Sequence, residues 1–185
     1  MSWTKIIVLT GFAGLCFLLL VLGIIEKSTV MIGLDERGVV LSPYEPAGYR
    51  YQILRPGRNW LRPGEKAVIY SISPEAYRTS NDAENPQTIQ AIAKGGEEMW
   101  VDVSAIYAIN PEKLLDLHIC WQDRYRDGLV RPLIRGTTRN VLSGYTANEI
   151  KVKRSFLEHK IFETLGQEFA ENDLILFEFR ITGIQ

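Results

Sequence analysis

The side chains able to do chemistry are few, and their spacing does not suit it. His118 and Cys120 stand two positions apart, but a nucleophile and its base meet across a fold, and a His-x-Cys pair supplies no third group to orient the base. His118 and His159 fall on different predicted helices, and neither belongs to a His-Glu-x-x-His zinc spacing. Ser71, Ser73 and Ser143 lack the flanking glycines of a nucleophile elbow. Gly95 and Gly96 lack the lysine and following helix of a phosphate loop and read as a turn. Glu97 and Glu98 adjoin that turn, where acidic groups are ordinarily solvated. Asp116, Asp123 and Asp127 lie beside arginines, where structural pairing accounts for them. The expectation is a non-enzyme with no catalytic residue, no cofactor and no metal.

Two groups of residues are better suited to contact than to catalysis. Arg124, Arg131, Arg135 and Arg139 share one side of a helix predicted over Gln122 to Ser143, opposite Val130, Leu133, Ile134, Thr137 and Val141. Such a row is either a solvated face, a set of carboxylate clamps for a neighbouring copy, or a headgroup contact if it faces a bilayer. The second group is Val152 and Phe156, which point away from the core face of the next helix and leave an apolar patch that a monomer would expose. Arg131, Arg135, Arg139, Val152 and Phe156 are therefore the candidates for lateral contact between subunits.

The elements that must position these residues follow from periodicity. Val30–Ile32 and Val39–Leu41 flank the turn formers Asp35 to Gly38 and read as a hairpin. Pro56-Gly57 and Pro63-Gly64 predict turns with positive φ at the glycine, and Ala67 to Ser73 alternates as a half-buried strand. Thr88–Ala93 and Met99–Ile109, around Lys94 to Glu97, predict a long hairpin whose inner face is Met99, Val101, Val103, Ala105 and Tyr107. Asn110 and Pro111 can open a short helix through His118, and Pro132 starts or kinks the longer one. Thr146 and Glu149 have capping-box spacing and open a last helix with Ile150, Leu157, Ile161 and Leu165 on its core face. Ile175, Phe177, Phe179 and Ile181 then alternate along a closing strand. Strands, then helices, then a strand predict an α+β class, with helices on one face of a mainly antiparallel sheet.

All of this hangs from Ile6 to Ile25, an uncharged apolar run between Lys5 and Glu26-Lys27. As a helix it covers roughly 30 Å, the thickness of a hydrocarbon core. A cleaved signal would have a shorter run and a small-residue cleavage site, and a buried core helix would keep a polar stripe. The expectation is a single transmembrane anchor over residues 1–27, with Ile6, Phe12, Leu18 and Ile25 in the bilayer, followed by a domain over 28–185. Lys5 and the terminal amine outweigh Lys27, which places the N-terminus in the cytoplasm and the domain on the opposite side. Net charge is −1, so no basic excess suggests a nucleic-acid partner. Cys16 in the anchor and Cys120 in the domain are not expected to pair.

The order of motifs resembles the SPFH or band 7 superfamily of stomatins, prohibitins, flotillins and bacterial protease regulators. The likeness rests on Glu36–Leu41 after the apolar run, the proline-glycine segment Leu54–Tyr70, the alternating strand and Asn-Pro of Val101–Pro111, and Arg131–Arg154 with its Tyr-Thr-Ala turn. It departs from the pattern at Lys94 to Glu97, which replace an Asp-Gly turn. It also stops at Gln185, before the coiled coil such proteins usually carry, which leaves assembly to the domain and anchor unless that tail was removed. The resemblance implies a scaffold that assembles side by side into membrane-attached rings, as a homo- or hetero-oligomer, with a membrane AAA protease or another membrane complex as partner. The alternative is a membrane-tethered adaptor bound to one partner complex without a closed ring.

Overall fold

The structure, a computed structural model, describes residues 28–79 and 88–185. It is a mixed α+β architecture in two compact units, one ending at Tyr70 and the other running from Ser71 to Gln185. The predicted span Ile6 to Ile25 lies outside the described residues.

The first unit is made of short strands. Its first strand, β1 (Thr29–Ile32), is followed by β2 (Glu36–Leu41), β3 (Tyr49–Leu54), β4 (Gly57–Trp60) and β5 (Lys66–Ser71). The expected hairpin between Val30–Ile32 and Val39–Leu41 does not form. β1 pairs antiparallel with β4, while β2 lies between β3 and β5 in a separate sheet. The physical reason lies at Gly38, where a Cβ would come within 3.1 Å of Leu54 and 3.3 Å of Ile32. Its absence lets β1 lie over β2, so Ile32, Val40 and Leu54 meet through side chains in one core, with Val30, Leu61 and Ala67 around it. Both glycines have the expected positive φ, 109° at Gly57 and 88° at Gly64; Pro63-Gly64 forms a turn, whereas Pro56 is a bend and Gly57 opens β4. Both are conformations that a side chain disfavours.

The second unit is organised by β8 (Glu98–Ile109), which follows β6 (Glu75–Arg78) and β7 (Ile89–Ile92). The predicted long hairpin is present, with Ile89 opposite Val101 and Ile92 opposite Glu98. Its turn is closed by Ala93 N–H donating to Glu97 O at 2.8 Å. β6 continues along the same edge of β8, and β9 (Leu174–Ile184) occupies the other, since Tyr107 faces both Glu75 and Leu176. All five predicted inner-face residues of β8 are buried.

Helical geometry departs from expectation in three places. Asn110 does not cap a helix; its Oδ1 accepts from Glu112 N–H at 3.1 Å in a local turn, and α1 begins later (Leu114–Trp121). The predicted helix over Gln122 to Ser143 is broken into a 3₁₀ turn (Gln122–Arg124), a π turn (Arg126–Val130) and α2 (Arg131–Leu142). Gln122 sits at φ 53°, which no α-helix admits, and Pro132 occupies the first turn of α2, where its missing amide costs least. The last helix bends at Lys153 into α3 (Ala147–Val152) and α4 (Arg154–Glu171). The hydrogen-bond rail crosses that bend, through Lys153 N–H to Glu149 O and Leu157 N–H to Lys153 O. Its core face is as expected, with Ile150, Leu157, Ile161, Leu165 and Phe169 fully buried.

The capping box forms at α3, where Thr146 Oγ1 accepts from Glu149 N–H at 3.3 Å and Glu149 Oε2 accepts from Thr146 N–H at 3.1 Å. The Thr146 amide, then Lys153, hold the Glu149 carboxyl at about 2. Thr146→Ala is expected to cost about 1 kcal/mol in thermal unfolding. An unchanged midpoint would show that the box does not stabilise this turn.

Candidate assembly surface

The contact candidates occupy two different settings. Val152 and Phe156 are 76% and 56% exposed on α3 and α4. The Phe156 ring stands edge-on to Tyr145 with centroids 6.5 Å apart, and Lys160 Nζ sits 5.3 Å above the Tyr145 ring. Beside this stack a groove of about 320 Å³ opens between α2 and α4, walled by Thr137, Asn140, Tyr145, Lys160 and Glu168. An apolar pair next to a polar groove is the composition of a contact surface with a small apolar centre and a wet rim.

The arginines are placed differently. Arg131 lies 3.6 Å from Asp127 in an exposed pair. Arg135 Nη2 donates to Thr88 O at 3.0 Å, and Arg139 Nε donates to Gln90 O at 2.9 Å. The row therefore reaches onto the edge of β7. Arg124 is exposed at the end of the 3₁₀ turn.

The chemistry candidates remain apart. His118 is buried in α1 and Cys120 is exposed two residues on. Positions two apart do not share a helix face. Burial pushes the His118 imidazole below its ordinary value. His159 pairs with Glu163 at 3.2 Å on the exposed side of α4. Among the described residues no group of three or more His, Cys, Asp or Glu is close enough to hold a metal ion.

Residues 30–185 match the SPFH domain / Band 7 family. The chain belongs to that family. The match covers most of the sequence and spans both compact units. No curated protein matches the chain. Among the described residues of this SPFH domain, no helix is long and apolar enough to cross a membrane. The residues expected in the anchor, Ile6, Phe12, Leu18 and Ile25, lie outside the described residues.

Two features of the SPFH domain were missed by reading the sequence. Glu75 and Arg126 form a two-point ion pair that also receives the Tyr107 hydroxyl at 3.3 Å, while the Arg126 guanidinium stacks 5.3 Å over Tyr125. Burial, then Glu75, push the Tyr107 phenol up, and the hydrogen bond to Glu75 raises Arg126. This cluster fastens the π turn to β6. The other is the phase of β9. Ile106 faces Glu178 while Tyr107 faces Leu176, so Phe177 is an extra residue, a β-bulge. The alternation of Ile175, Phe177, Phe179 and Ile181 is thereby split, with Phe179 and Ile181 buried and Ile175 and Phe177 exposed.

Proposed function

We propose that this SPFH-domain protein is a membrane-anchored, non-catalytic scaffold whose copies assemble side by side and organise a membrane patch or a membrane-protein complex, a membrane AAA protease among the candidates. One observation carries the reading: the family match begins at residue 30, only a few residues past the uncharged run that ends at Ile25. A tether that short keeps the domain at the bilayer surface, and with the N-terminus in the cytoplasm the domain stands on the opposite side. Many anchors in one assembly let individually weak lateral contacts hold together. Val152 and Phe156 supply the apolar part of that contact and Arg131 a charged rim.

A smaller reading is favoured by the placement of Arg135 and Arg139 on β7, which leaves the apolar patch and Arg131 as the remaining contact candidates. That footprint suits an adaptor bound to one partner. Phe156→Lys tests the apolar part of the lateral contact. It is expected to reduce the assembled particle to much smaller species in detergent, and an unchanged particle would remove Phe156 from the lateral contact.

A further inference from the structure

The placement of Arg135 and Arg139 bears on a hazard built into β7. Thr88 to Ala93 reads Thr-Ile-Gln-Ala-Ile-Ala, with no charge, no proline and no glycine. That composition is the signature of a segment that pairs with copies of itself. Pro86 precedes it and Lys94 follows it in sequence, where gatekeepers are found.

Among the described residues β7 is an edge strand, paired with β8 on one side. Its outward carbonyls can be identified from its neighbour. Trp100, opposite Gln90, exchanges both backbone bonds with Gln185, so its polar groups face away from β7. Gln90 and Trp100 are then a non-hydrogen-bonded pair, and the Gln90 amide and carbonyl point out from the sheet. The carbonyls of Thr88 and Gln90 are the groups that Arg135 and Arg139 take. The match is geometric as well as chemical. Residues four apart on a helix are separated by about 6 Å along its axis, and alternate residues of a strand by about 6.7 Å. An arginine row at i, i+4 thus meets every second carbonyl of a strand edge. Beyond the last arginine, Ile92 is 57% exposed beside a groove of about 370 Å³ lined by Gln90, Ala91, Ile92, Arg139, Asn140 and Ser143.

We infer that Arg135 and Arg139 guard a latent strand-pairing surface, the outer edge of β7, whose partner is the same edge of a second copy. The guanidiniums occupy the acceptors that an incoming strand would need, and they place positive charge where two such edges would meet. Like charges directly opposite one another oppose pairing, and charged side chains are a common way of blunting an edge. The inference stands whether or not the chain is a scaffold.

The test uses the full chain in detergent micelles and the infrared signature of intermolecular β-strands. Arg135→Ala with Arg139→Ala is expected to produce that signature where the unaltered chain does not. Losing one charge-assisted bond shifts the guarded-to-open ratio by about tenfold. Gln90→Pro, added to the double substitution, removes an outward amide without touching the β7–β8 ladder and should abolish the signature. A double variant without the signature would overturn the inference, and so would a signature that survives Gln90→Pro. A change in particle size without the infrared signature counts against this inference and bears only on lateral assembly.

Discussion

Phe169→Ala is expected to cost the second unit about 4 kcal/mol, the largest effect of any single substitution considered for it. The ring is fully buried on the core face of α4, edge-on to Tyr107 with centroids 5.9 Å apart. Removing it forfeits the transfer energy of a large aromatic and leaves a cavity beside Tyr107, near the C-terminal end of β8, that surrounding side chains fill only in part. An aromatic pair adds about 1 kcal/mol beyond its buried area. The loss also frees the Tyr107 ring, whose hydroxyl reaches Glu75 in the cluster that holds Arg126. Phe169→Leu, which keeps most of the volume, should cost less than half as much. Denaturant unfolding followed by circular dichroism measures both. A cost below about 1 kcal/mol for the alanine variant would contradict the packing described.

Glu65→Ala is expected to destabilise the first unit by about 3 kcal/mol. The Glu65 side chain has no exposed surface. Its Oε1 accepts from Ser42 Oγ at 2.9 Å and Arg50 Nε at 2.8 Å, and its Oε2 accepts from Arg62 N–H at 2.7 Å and from Arg50 Nη2. Deleting the carboxylate strands a largely buried guanidinium together with an amide and a hydroxyl, and breaking such a pair costs more than the pair contributes. Burial, the largest single effect, pushes the Glu65 carboxyl up. The Arg62 amide, the Ser42 hydroxyl and the Arg50 guanidinium together outweigh it and hold the group below its ordinary 4.5. A folded-state value below the unfolded one means that the stabilisation is present in full above 4.5 and is lost as pH falls through the folded value. Exchange of the backbone amides of β2 and β3 reads this directly. Protection that falls on acidification below 4.5 in the native chain, and much less in Glu65→Ala, is the expected result; parallel profiles would contradict it.

What the sequence revealed and what it hid divide along physical lines. The β7–β8 hairpin was legible because its alternation and its glycine turn are local. The core face of α4 was legible because Leu157, Ile161 and Leu165 recur at helical spacing next to a capping box. The pairing of β1 with β4 was not, because Val30–Ile32 and Val39–Leu41 look like a hairpin until Gly38 is seen to let one lie over the other. The bulge at Phe177 was hidden for a related reason. Which residue of β9 is extra depends on β8, some seventy positions earlier, and the alternation of Ile175 to Ile181 is the same with or without it. The π turn before Pro132 and the Glu75–Arg126 cluster likewise depend on residues distant in the chain.

The arginine row shows how spacing on a helix is legible while the groups the row meets are not. Arg131, Arg135 and Arg139 do share a helix face. Two of them reach a strand edge of their own domain, and no property of the helix alone could have placed β7 there. The exposure of Val152 and Phe156 was more legible, since both fall outside the core stripe of α3 and α4.

The central claim is that an SPFH domain held close to a bilayer by Ile6–Ile25 assembles laterally with copies or relatives of itself. The particle mass of the full chain extracted in mild detergent tests it most directly. A single, very large and homogeneous species is the result expected of a scaffold. A monomer that co-purifies in fixed ratio with one partner would contradict it and establish the adaptor instead.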